Sequence, residues 1–185
     1  EYLAAEEATE ERAKRKDEIS PEEEVAHLMK FADLALKIGR LAPGLEACRR
    51  ALTLATAGDV VTGASLGLLH TKLLLRSLQL DEALEAARTA LAPNFILKGS
   101  VPRALAVQIA AHEAEALVML GEPGKARERL EAEGLDGEAG NEDRSLPLFL
   151  AYAEVLAYLG DRALALDLMN DALASAEKRG DSLTL

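Results

Sequence analysis

Apolar stretches rich in alanine and leucine alternate along the chain with short breaks of Gly, Pro and Asp. This pattern predicts helices over roughly 21–38, 43–56, 60–78, 81–92, 101–120, 123–133, 144–159 and 162–179. Ala and Leu are strong helix formers, whereas the β-branched and aromatic residues that build strands are sparse. "SPEE" at 20–23 has the grammar of a helix start: Ser20 as cap, Pro21 in the first turn and Glu23 completing a capping box. Residues 1–18 read as a charged helix with a thin apolar stripe. Links such as "GRLAP" and "GEPG" are short enough to force neighbouring helices antiparallel. Two connections are longer. "APNFILKGSV" at 92–101 carries Phe95, Ile96 and Leu97, which are expected to pack on a helix, and "GLDGEAGNEDRS" at 134–145 reads as a mobile surface loop.

The helix pairs align on the turn inside each one. Gly39, Leu78, Gly121 and Gly160 fall there, at spacings of 39, 43 and 39 residues. Seven residues before the turn stands a small residue (Ala32, Thr71, Ala114, Ala153), and five after it stands another (Gly44, Ala83, Ala126, Ala165). Twelve after it, three of the four read Ala-Leu: Ala51-Leu52, Ala90-Leu91 and Ala172-Leu173. Two helices interlock closely only where side chains nearly vanish, and the later alanine leaves room for the next pair. No single pair buries its apolar face alone, so the pairs must stack.

These positions resemble the tetratricopeptide repeat family, over roughly residues 25–178 as four units. The fourth unit matches best, with Phe149, Tyr152, Ala153, Leu156, Gly160, Ala165 and Ala172 at family positions. The second has Leu78 for the turn glycine and can also be read one turn earlier, on Leu66-Gly67. The third has Glu113 where an apolar residue is usual and Glu133 where the later alanine belongs. The family's tryptophan is absent, and the spacing runs long, as in the lengthened helical repeats of large bacterial transcription regulators of the MalT type, which the chain also resembles. The resemblance implies an all-α, right-handed solenoid of about four stacked helical hairpins (about 25–57, 60–92, 101–133 and 144–179). Residues 1–20 would form an acidic N-terminal helix or cap, and 21–185 the repeat domain.

Charge narrows the partners. The net charge is −11, of which residues 1–24 contribute −6 through ten acids and four bases. That excess argues against direct contact with nucleic acid or an anionic membrane surface. Arg12, Lys14, Arg15 and Lys16 are flanked by Glu10, Glu11, Asp17 and Glu18 and read as a salt-bridged helix face. A single cysteine, Cys48, excludes an internal disulfide and a multi-thiolate zinc site, and suits a reducing, cytoplasmic setting. No apolar run reaches transmembrane length, and residues 1–20 lack a signal-peptide core. The sequence opens on Glu1, and "GDSLTL" at 180–185 reads as the start of another hairpin, so a piece of a larger protein is expected.

Candidate chemistry is thin. "HEAEA" at 112–116 lacks the second histidine of a zinc-protease motif, and "GEPGKA" at 121–126 lacks the Ser or Thr and the long glycine loop of a phosphate loop. "DGEAGNED" at 136–143 does not follow the calcium-loop alternation. His27, His70 and His112 read as ordinary helix residues, and Cys48, among Leu45, Ala47 and Leu52, as a buried thiol. No catalytic residue, cofactor or metal is expected, so the chain reads as a non-enzyme.

In the family the concave groove is lined by the first helix of each pair. Carried over by position, the partner-contacting candidates are Asp33, Lys37, Lys72, Arg76, Glu115, Met119, Glu154 and Tyr158. The set is positive near the second repeat and negative toward the third and fourth. Met29 and Asp33 stand where the family's chaperone-tail clamp needs Lys and Asn, so no such clamp is expected. The resemblance implies a scaffold for protein–protein interaction that docks a peptide or helix of another protein. The alternative is a regulatory, effector-sensing module of a larger regulator. Homo-oligomer formation through the terminal repeats is a further expectation, because an end repeat presents an apolar face.

Overall fold

The computed structural model describes residues 20–55, 60–92, 101–135 and 146–179. Among them are eight α-helices and no strand: α1 (Pro21–Lys37), α2 (Leu41–Leu54), α3 (Val60–Arg76), α4 (Leu80–Leu91), α5 (Arg103–Met119), α6 (Pro123–Leu130), α7 (Leu146–Leu159) and α8 (Arg162–Arg179). The expected helix over 1–18, the packing of Phe95, Ile96 and Leu97, and most of the loop at 134–145 lie outside the described residues. The backbone forms two compact units, Glu1–Leu105 and Ala106–Leu185.

The start of α1 follows the capping grammar. Glu23 N–H donates to Ser20 Oγ at 3.2 Å, and Ser20 N–H donates to the Glu23 carboxylate at 3.3 Å. Each hairpin then closes with the same backbone device. The residue after the turn residue donates six-to-one across the helix end: Arg40 to Ala35 at 2.8 Å, Gln79 to Leu74 at 3.0 Å, Glu122 to Leu117 at 2.8 Å and Asp161 to Leu156 at 2.9 Å. The turn residue itself donates three back, as from Gly39 to Leu36 and from Leu78 to Leu75. Together these are Schellman motifs, which need a left-handed residue at the turn. Gly39, Gly121 and Gly160 have φ of 77°, 80° and 95°, and Leu78 adopts 58° in the same place. The second hairpin is therefore registered on Leu78 rather than one turn earlier.

Small residues stand where the helices cross. The residues seven before and five after each turn are all buried. A Cβ on Gly44 would lie 3.0 Å from both Ala35 Cβ and Leu73 Cδ2, so α2 meets α1 and α3 at this point. Gly67 has a different task from the turn read there as an alternative. A Cβ on it would lie 2.4 Å from Ala90 Cβ, which brings α3 and α4 together.

In the first unit, α3 is enclosed by α1, α2 and α4, and buries Leu66, Leu73 and Leu74 completely. Each such leucine contributes about 1.5–3 kcal/mol through burial. In the second unit, α5 and α6 form one hairpin, α7 and α8 the next, and α6 packs on α7. The expected helix over 123–133 instead ends at Leu130 and continues as a single π turn, Glu131–Leu135. This wider turn coincides with two carboxylates held from outside it: Arg127 Nε donates to Glu131 at 2.7 Å and Arg129 Nη1 to Glu133 at 2.7 Å.

Candidate partner-binding faces

The eight candidate residues occupy two register positions, six and two residues before each turn, on the first helix of every hairpin. Placed there, they escape the faces that bury the small crossing residues. In the first unit Asp33 and Lys37 on α1 form an ion pair at 2.7 Å, one helical turn apart and largely exposed. Lys72 on the neighbouring α3 is half-buried, and Arg76 at the end of that helix is exposed. The four side chains carry one negative and three positive charges.

In the second unit the same positions on α5 and α7 hold Glu115, Met119, Glu154 and Tyr158. Glu115 Oε2 lies 2.9 Å from His112 Nδ1. Partial burial, and then the nearby Glu115 charge, raise the Glu154 carboxyl above its ordinary range. The two carboxylates from adjacent hairpins thus share one electrostatic neighbourhood. Met119 and Tyr158, near the ends of the two helices, are 44% and 65% exposed. The unit offers an acidic centre with apolar side chains beside it.

Other interactions were not foreseen in the sequence. Arg49 on α2 pairs with Glu82 on α4 at 3.2 Å, and Arg50 pairs with Glu24 on α1. In the second unit, the residues that break the repeat pattern find each other. Glu113 is buried, and Arg129 Nε donates to it at 2.6 Å while reaching Glu133 with Nη1. Tyr152 Oη donates to Glu131 at 3.0 Å, and its ordinary value is raised by burial and by that carboxylate. The available signal was the arginine at 129, sixteen residues after one misplaced glutamate and four before the other.

Cys48 is buried, with Sγ 3.6 Å from the Leu66 carbonyl, and burial pushes its thiol up to about 12. His70 is neutral-favouring, lowered by burial first and then by Arg49. Among the described residues no group of three His, Cys, Asp or Glu side chains is placed to hold a metal ion. No described helix is long and apolar enough to cross a membrane.

Repeated helical hairpins, left-handed turn residues and small crossing residues at fixed offsets define an all-α helical-repeat protein of tetratricopeptide-like fold. Solved structures agree with that class. The apo form of RapI superposes with a TM-score of 0.78 at 18% identity, covering 98% of this chain and 66% of RapI. MamA superposes with a TM-score of 0.57 at 17% identity, covering 87% of this chain and 78% of MamA. The chain thus spans about two thirds of RapI's length. No protein-family model and no curated protein matches the sequence.

Proposed function

We propose that the chain is a non-catalytic scaffold whose first-helix faces bind a peptide or helix of another protein. The observation that carries this reading is the juxtaposition of Glu115 and Glu154. Like charges brought together on an accessible face work against folding, and a cationic partner segment would relieve them. Met119 and Tyr158 supply apolar and aromatic surface beside the acidic pair, a composition suited to anchoring a side chain. In the first unit Lys37, Lys72 and Arg76 outnumber Asp33, so that face suits an acidic segment. The net charge of −11 favours a protein partner over nucleic acid.

The test is selection of binding peptides from a displayed library against the whole chain. Selected sequences are expected to carry basic residues, acidic residues or both beside an apolar anchor. Lys72→Glu with Arg76→Glu should abolish capture of the acidic class. Glu115→Gln with Glu154→Gln should weaken the basic class at least about tenfold. Binding unchanged in both double variants would assign the partner to another surface and end this reading.

A further inference from the structure

Leu78 stands where neither the turn nor the core asks for a leucine. The other three hairpins turn on Gly39, Gly121 and Gly160, and a left-handed residue with a Cβ is disfavoured relative to glycine. Nor does packing compensate, because at 71% exposed Leu78 is the most exposed large apolar side chain among the described residues. A residue disfavoured by its backbone and by its surroundings together points to a use outside the fold.

A second exposed apolar side chain lies on the same edge of the first unit. Ile38, one residue before the turn of the first hairpin, is 50% exposed. Gly44, near the start of α2, meets both Ala35 on α1 and Leu73 on α3, and Ile38 and Leu78 follow those residues by three and five positions. Packed helices stand about 8–10 Å apart, so the two side chains offer anchors on the order of 10 Å from one another. The chain enters α1, crosses from α2 to α3 and leaves α4 at the opposite ends of these helices. Stacked hairpins meet through their helix faces, so a neighbouring repeat leaves this edge of turns open.

Charge names the kind of partner. Within three residues of these two turns stand Lys37, Arg40 and Arg76 against Asp81 alone, all exposed. With Asp33, which pairs with Lys37, and Lys72 farther back along α3, cations still outnumber acids. The corresponding turns of the second unit hold Glu122 and Asp161 against Arg162, so the positive sign is particular to the first. We propose that Ile38 and Leu78 are the apolar anchors of the first unit's binding surface, and that its partner is an acidic segment carrying two apolar side chains about 10 Å apart. This rests on the reading that the first unit docks an acidic segment, and adds the contacts that give such a segment affinity beyond charge.

The probe is a fluorescein-labelled peptide of Asp and Glu with two leucines spaced by three residues, roughly 10 Å in an extended chain. Titrated with the whole chain and followed by fluorescence anisotropy, it is expected to bind saturably with a Kd below about 500 μM. Leu78→Gly should weaken binding at least about fivefold while Tm rises, a pairing that a leucine serving the turn alone would not produce. Ile38→Ser, at a position already facing solvent, should weaken it by a similar factor with helicity unchanged. Replacing both peptide leucines with serine should lower affinity for the native chain as far, and leave Leu78→Gly indistinguishable from it. If Lys72→Glu with Arg76→Glu abolishes binding while Leu78→Gly and Ile38→Ser leave it unchanged, the first-helix reading stands and the anchors are overturned. No saturable binding up to about 1 mM overturns the anchors and the acidic partner together.

Discussion

Arg129 reaches from α6 to Glu113 on α5, Nε to Oε2 at 2.6 Å, and this contact neutralises a carboxylate with only 4% of its surface exposed. Removing the arginine alone takes this cation away from a buried carboxylate. Arg129→Met is expected to destabilise the chain by about 3–5 kcal/mol, the usual result of breaking a buried pair from one side. Arg129→Met with Glu113→Leu should recover most of the loss. Urea denaturation of the two variants measures the difference, and equal midpoints would contradict the assignment.

Leu78 occupies the left-handed place that glycine fills in the other three hairpins, with its side chain largely in solvent. A left-handed residue with a Cβ costs roughly 1–2 kcal/mol, and the extra freedom glycine gives the unfolded chain offsets part of that. Leu78→Gly should therefore stabilise by about 0.5–1 kcal/mol, read as a rise in Tm of a few degrees. The converse, Gly121→Leu, should lower Tm.

At Gly67 the space is already taken by Ala90. Although alanine is the better helix former, Gly67→Ala must push α3 and α4 apart and should destabilise by about 1–3 kcal/mol. Adding Ala90→Gly should relieve the clash. A double-mutant cycle should give a favourable coupling between the two changes, and additivity would contradict the close approach of the two helices at this point.

His70 responds to acid. Its folded value lies below the ordinary 6.5, chiefly because burial disfavours the charged ring, with Arg49 acting in the same direction and Glu82 against it. The unfolded chain thus binds the proton more readily than the folded one. Stability is retained above the ordinary value and lost as pH falls below it toward the folded value. Between pH 7.5 and about 5.5, Tm should fall more steeply for the native chain than for His70→Gln. Parallel slopes would remove His70 from the pH response.

Cys48 should behave as a reporter of opening. With its thiol pushed up to about 12, almost no thiolate exists near neutral pH, and the sulfur is shut away from solvent. A disulfide reagent is expected to label it only as fast as the first unit opens, and instantly in denaturant. Rapid labelling of the native chain would contradict this burial.

Much of the architecture was legible because stacking imposes steric rules on fixed positions. The turn residues and the two sets of small crossing residues fell where the sequence placed them, and the buried Cys48 followed from its neighbours on α2. The ion pairs were less legible. Glu113 and Glu133 looked like defects in an apolar pattern, because a linear reading prices each residue against its own repeat. Arg129, which joins them, is sixteen residues from one partner and four from the other, and only the hairpin brings all three together. The candidate faces lie between these cases. Their register follows from the turns, but the proximity of Glu115 and Glu154 depends on how α7 stands beside α5.

The four Schellman turns have a consequence for how much sequence change the form tolerates. Each hairpin is specified by one left-handed residue and two small ones, while its hydrogen bonds come from the main chain, which every sequence supplies. Nearly all other surface positions are then free to drift without loss of form. A TM-score of 0.78 to RapI at 18% identity shows one form carried by largely different letters. In a chain of this kind, shape rests on a few backbone geometries that many sequences can supply.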